Sequence, residues 1–309
     1  MLDGDSIMPA ETMVTLARTI EGNDTIGLIQ VPPYEIGEAT LFSAQRNFGM
    51  LMIPIMFAAT YYFKIGRAFY LGHHAILRTE TMTKDCSLPV LSRTKLFAEG
   101  KPMSHDVFEA ALMEGAGWET YVLPQLVGFD QQVYNIKEWA IRENRWLVGS
   151  MNWLRLWRYK QLSFHGKSNV LFLSCLYSNA FLGVIGLCLS YYGSYYFFKN
   201  YLYSDLFLRH FQNLVMFSIA IFFFILLSPI CLTLLYYHKS GRLRQLGGVV
   251  KVTFSYFLVY CLKSFLSIIK MFCLARFLFN WLKGKKIVWG AQDREYRGAL
   301  SWEESFKFS

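Results

Sequence analysis

The sequence predicts an α/β domain followed by an α-helical membrane domain. The first half is polar and passes from a helical period to a short β run within about thirty residues, as in an α/β crossover unit. The second half carries apolar runs longer than a soluble core uses. Basic residues flank those runs: Arg155, Arg158, Lys160 and Lys167 precede them, and Lys239, Arg242, Arg244 and Lys251 follow the second. Of 309 residues, 54% are hydrophobic and 17% aromatic, and the formal charge is +9. Because the basic excess adjoins apolar segments and no aromatic–basic motif accompanies it, its partner is anionic membrane lipid and not nucleic acid.

Element by element, residues 9–21 place Met13, Leu16, Ala17 and Ile20 on one helical face. Asn23-Asp24 then turns into the β run 26–31, which Pro32-Pro33 closes. This unit implies a parallel sheet wrapped by helices. The apolar run 48–63, interrupted by Pro54, is shorter than the roughly twenty residues of a bilayer crossing and reads as a buried or interfacial helix. Gly72-His73-His74 is a loop leading into a strand, and a helix begins at Ser104-His105-Asp106 and stops at Gly115-Ala116-Gly117. Residues 118–123 alternate as a strand, and 139–157 form a tryptophan-rich basic helix.

Segments 170–198 and 211–237 are two spans, with the basic flanks cytoplasmic and the loop 199–210 periplasmic. The stretch 252–282 contains Lys263, Lys270 and Arg276, costly at mid-bilayer, and is expected to be interfacial or re-entrant. The expected domains are therefore 1–151, cytosolic α/β; 152–168, a basic interfacial linker; 169–251, two transmembrane helices with their loops; and 252–309, the interfacial helix and a cytosolic tail. The six cysteines form no CxxC pair and read as small hydrophobes.

Four constellations carry chemistry. Asp3-Gly4-Asp5 puts two carboxylates at D-x-D spacing, which at a strand end converge on a hard divalent cation and a diphosphate; the same pair also suits a helix cap or solvated loop. With only Met1 and Leu2 ahead of it, the motif suggests a chain that begins inside a domain. Ser104-His105-Asp106 offers a carboxylate at a helix head, and equally an N-cap. Arg142-Glu143-Asn144-Arg145-Trp146 pairs cations with an aromatic face, as an interfacial belt also does. His73 and His74 are neighbours; on a strand they would point to opposite faces and rarely chelate one ion, so they read as hydrogen-bonding groups beside a sugar.

Together these motifs resemble the membrane-bound processive family-2 glycosyltransferases, and within them the inner-membrane synthases of osmoregulated periplasmic glucans. LDGDS, GLIQVPP, GHHAILR, SHDVFEAALMEGAGWE, ENRWLVGS and the tail IVWGAQDREYRGALSWEESF carry the resemblance along nearly the whole chain. It implies part of a GT-A-like glycosyltransferase domain, lacking the strands that bind uridine, in a multi-pass protein of the bacterial inner membrane with its catalytic domain cytoplasmic. The implied donor is UDP-glucose and the acceptor a growing β-glucan, with Mg2+ or Mn2+ at Asp5 and Asp3, which also hold the nucleotide sugar. Asp106 is then the catalytic base, with Ser104, His105, His73 and His74 around the acceptor; Arg145 pairs with the diphosphate and Trp146 stacks on the sugar. Arg142, also implied on the substrate and acceptor side, stands where the broader family has Gln, and His74 where the subfamily usually has Asn. Implied partners include periplasmic glucan-processing proteins and a separately encoded N-terminal half. The rival readings are a truncated inactive remnant or membrane scaffold and, from another class, a small transporter.

Overall fold

A computed structural model describes residues 1–37, 41–63, 66–95, 97, 99–200 and 205–284. The expected cytosolic tail and its sequence motif, from 285 onward, lie outside the described residues, as does part of the loop 199–210. The chain divides into two units, one comprising Met1–Asn179 and the chain from Phe272, the other Ala180–Met271.

In the first unit, α1 (Ala10–Glu21) buries Leu16 and Ile20 against β1 (Ile26–Gln30), whose five residues are all buried. An all-buried strand is the centre of its sheet, and β1 lies between β3 (Ala75–Leu77) and β4 (Glu119–Val122). It runs parallel to β4 but antiparallel to β3, so the expected parallel sheet is a small mixed one. The crossover pattern revealed a helix and a strand but not the direction of the third partner. Pro33, expected to close β1, instead begins β2 (Pro33–Ile36), which pairs in parallel with β5 (Gly128–Gln131). Proline is tolerated as the first residue of a strand, where its missing N–H breaks no ladder.

The D-x-D motif lies in a turn rather than at a strand end. Ser6 N–H donates to the Asp3 carbonyl at 3.0 Å, and Ile7 then makes a single bridge to Phe129 of β5. The apolar run 48–63 divides between α2 (Leu41–Met50) and α3 (Ile53–Phe63), with Pro54 in the first turn of α3 where a proline fits. A short α4 (Thr79–Lys84) follows β3.

Helices α5 (Asp106–Gly115) and α6 (Ile136–Leu156) meet the start of α7 (Phe164–Asn200) in a core of Phe108, Ala111, Leu112, Trp153, Leu156 and Val170. Asn135 caps α6, its side chain accepting from Glu138 N–H at 2.9 Å. At Gly115 a Cβ would strike the Gln161 carbonyl, so glycine permits the chain after α6 to approach α5.

The last helices are α8 (Asp205–Lys239) and α9 (Gly248–Leu282). Gln212–Lys239 and Gly248–Leu282 are long and apolar enough to cross a membrane by length and composition. Segment 252–282, expected to be interfacial or re-entrant, belongs to the unbroken α9. Apolar side chains stand outward on both, Phe224 at 73% and Phe254 at 64% exposure, a surface that lipid or protein must cover. All six cysteines are free thiols.

Candidate functional site

The site is organised by a loop, residues 71–74, between buried Tyr70 and β3. Gly72 has φ 88° and His74 φ 51°, so the backbone passes through left-handed conformations just before the strand. Gln30, fully buried at the end of β1, holds this shape. Its Nε2 donates to the carbonyls of Val31, His73 and His74 at 2.8, 3.0 and 3.2 Å, and its Oε1 accepts from Leu71 N–H at 3.0 Å. Val31 N–H also donates to the His74 carbonyl at 2.9 Å.

Left-handed geometry at His74 suspends the strand alternation rule, and the two histidines do not diverge. His74 Nε2 is 2.7 Å from Asp130 Oδ1 and His73 Nδ1 is 3.2 Å from Asp130 Oδ2, with the imidazoles 4.9 Å apart. Gly128 makes the space: a Cβ there would collide with the His74 ring, 2.2 Å from Nδ1. Asp130 also accepts from Ser6 Oγ at 2.8 Å, which attaches the D-x-D turn to the loop. Burial alone would raise the Asp130 carboxyl, but the bond from His74, the His73 charge and the Ser6 hydroxyl outweigh it and leave it below its ordinary value. Burial lowers His73, against the pull of Asp130. Among the described residues, His73, His74 and Asp130 are the group of three or more potential metal ligands whose ligand atoms converge, all within 4.8 Å.

Asp106 begins α5 on the other side of Gly72. A Cβ at Gly72 would lie 3.2 Å from Asp106 Cγ, so glycine lets the carboxylate approach the loop. Burial raises the Asp106 carboxyl, only partly offset by its own backbone N–H and the charges of His105 and His73. No side chain caps α5, so the capping role that Ser104-His105-Asp106 also allowed is not used. His105 is half-exposed and pairs with Glu109 at 2.9 Å, a bond that raises its imidazole. Ser104, with φ 51°, packs where a Cβ on Gly149 of α6 would sit, and its carbonyl accepts from Trp153 Nε1 at 2.7 Å. Tyr70, kept protonated first by burial, feels the charges of Glu109, Asp106 and Asp3. Asp3, His73, His74, Asp106 and the unanticipated Asp130 thus share one neighbourhood.

The α6 motif is organised differently. Arg142 is an ion-pair partner of Glu35 on β2 at 3.0 Å, and Arg46 of α2 grips the same carboxylate. The Arg142 guanidinium also lies over the Trp146 ring, 4.9 Å from its centroid. Arg142 therefore ties α6 to β2 and orients Trp146, which remains 39% exposed with a surface for stacking. Arg145 is half-buried, and burial lowers its guanidinium.

Asp130, Gln30 and Glu35 escape a sequence reading. Asp130 lies in four residues whose strand character comes from pairing with β2, and no local pattern marks it. Gln30 ends an apolar run, where a buried amide is the available hint.

No family model matches the chain. The glucans biosynthesis glucosyltransferase H proteins of Xylella fastidiosa, Nitrosomonas europaea and Xanthomonas euvesicatoria are 29%, 28% and 30% identical to it, over 98%, 99% and 99% of its length. Likeness over that extent relates the chain to a class of proteins named as glucosyltransferases. It belongs to the glucans biosynthesis glucosyltransferase H family. The chain spans 49%, 36% and 49% of the length of these three relatives.

Proposed function

We propose that the chain provides the acceptor side and membrane anchor of a glucosyltransferase that moves glucose from UDP-glucose to a growing β-glucan. The observation that carries this reading is Asp106, a carboxylate at a helix head, raised by burial and brought against the glycine of the loop beside Asp3 and His73. A base must accept a proton during transfer, and a carboxyl raised toward the working pH does so more effectively than an ordinary one. Asp106 takes the proton of the acceptor hydroxyl as its oxygen attacks the anomeric carbon. The bond from that carbon to the diphosphate breaks with inversion, and UDP leaves with the electron pair.

Arg145 faces the departing charge and Trp146 offers its exposed ring to the acceptor, positioned by Arg142. Asp3 and Asp5 fit a hard cation by donor chemistry, two carboxylates in a turn tied by Ser6 to the site. Mg2+ or Mn2+ bound there would neutralise the diphosphate. His73, His74, Ser104 and His105 shape the acceptor side. Helices α8 and α9, with α7, hold the protein in the bacterial inner membrane with the α/β region cytoplasmic, and pass the glucan outward.

The test is labelled glucose incorporation from UDP-glucose by membranes carrying the assembled protein. Asp106→Asn should lower it by roughly 100-fold or more, the scale of a lost general base. Full incorporation by that variant overturns the assignment. No incorporation by the unsubstituted protein favours the remnant or membrane-scaffold reading.

A further inference from the structure

We propose that His73, His74 and Asp130 form a binding site for a divalent transition metal of the Zn2+ class, separate from the D-x-D carboxylates. Ligands bonded to one such ion at about 2.1 Å lie roughly 3.0–3.4 Å from one another. His73 Nδ1 and Asp130 Oδ2 are 3.2 Å apart, and all three ligand atoms lie within 4.8 Å. The 2.7 Å contact of His74 Nε2 with Asp130 Oδ1 has the length of a hydrogen bond, whose proton an arriving ion would replace.

Several features of the loop and its neighbours favour this convergence. His74 adopts φ 51°, a strained conformation for a residue with a Cβ, and strain of this kind gathers at functional sites. Gly128 removes the atom that would collide with the His74 ring. Gln30 locks the carbonyls of both histidines. His74 Nδ1 is buried without a hydrogen-bond partner, so the ring has one productive nitrogen, and it faces Asp130. His74 is fully buried, whereas His73 and Asp130 keep 20% and 16% exposure and leave an ion a way in.

Two imidazoles with one carboxylate favour Zn2+, Co2+ or Ni2+ over Mg2+, which prefers oxygen ligands. The ion would join the loop, β5 and, through Ser6, the D-x-D turn. This inference does not rest on glucosyl transfer, and its test reads metal binding rather than turnover.

The purified full chain in detergent, stripped of metal, would be titrated with Zn2+ against a chromophoric chelator and, separately, with Co2+. One Zn2+ per chain is expected, retained in excess Mg2+, with visible Co2+ bands of nitrogen and oxygen ligation. His73→Gln and Asp130→Asn should each weaken Zn2+ by more than the roughly 10–100-fold that loss of an outer supporting contact costs. The unsubstituted protein should gain thermal stability with Zn2+, and each variant, first shown to unfold cooperatively without metal, should not. Unchanged affinity in both variants overturns the site, as does absence of stoichiometric binding, which leaves a hydrogen-bonded His–Asp–His group. Loss of Zn2+ through Asp3→Asn but not through His73→Gln assigns the ion to the D-x-D turn and equally overturns it.

Discussion

Asp106 and Asp130 stand on either side of one loop, and their surroundings drive them in opposite directions. Asp106 is raised by burial, with its own backbone N–H and the charges of two histidines too weak to reverse this. Asp130 is buried too, yet a bond from His74, the charge of His73 and a hydroxyl keep it ionised. When environments separate two carboxyls in this way, their roles divide: the raised one exchanges a proton and the lowered one is a permanent anion. Glu35 follows the Asp130 pattern, since burial would raise it but Arg46 and Arg142 bring it down. One acid is prepared to change charge and two are held constant.

The harshest way to break this division is to remove a constant anion. Glu35→Gln leaves two partly buried guanidiniums facing each other and should destabilise the α/β region by about 3 kcal/mol, the scale for breaking a buried pair, read as a drop in thermal midpoint. The glucose-incorporation loss expected for Asp106→Asn, roughly 100-fold, corresponds to about 2.7 kcal/mol of barrier. Gly128→Ala pushes a methyl group into the His74 ring and should cost about 1–3 kcal/mol, as overpacking does. A loss well below that range would mean that the loop yields and that its shape is not enforced.

The pH dependence of stability sharpens the contrast. Asp130 has a lowered folded value, so its contribution is complete above the unfolded carboxyl value near about 3.9 and is lost as pH falls through the folded one. Asp106 has a raised folded value, so its contribution is complete below the unfolded value and is lost as pH rises through the folded one. Asp130→Asn should therefore flatten the acid limb of the stability profile. The smallest expected effect is a rise of about 1–3 °C in the thermal midpoint of Asp106→Asn at neutral pH, vanishing in acid. A fall at neutral pH would mean that the ionised carboxylate is stabilised by groups other than those around it here.

What the sequence made legible was periodic. The face of Leu16 and Ile20 gave α1, the β run gave β1, the stop at Gly115 gave the end of α5, and the apolar runs gave α8 and α9. Asp106 was legible as a carboxylate at a helix head, and the structure adds its burial and its closeness to Gly72. What was not legible depends on distant pairing or on one dihedral angle. Asp130 reaches the site because β5 pairs with β2 more than ninety residues earlier, as in Glu35 opposite Asp130. Strand alternation would send the two histidines to opposite faces, but it does not apply until Ala75, because the turn at His74 precedes the strand. The ion pair of Arg142 was hidden too, because its partner Glu35 belongs to a strand that the proline pair concealed.

The amide of Gln30 has a consequence for the timescale on which the loop moves. The Leu71 N–H is bonded to a buried side chain and the Val31 N–H to the His74 carbonyl, so neither can meet solvent unless β1 lets go. In hydrogen–deuterium exchange the loop 71–74 would then open together with the central strand, at the slow rate of the sheet, and not at the fast rate usual for a connecting segment. If Asp106 acts as proposed, a sugar approaching it would meet a wall that is already set, and any motion needed to admit it would have to come from the other side of the site.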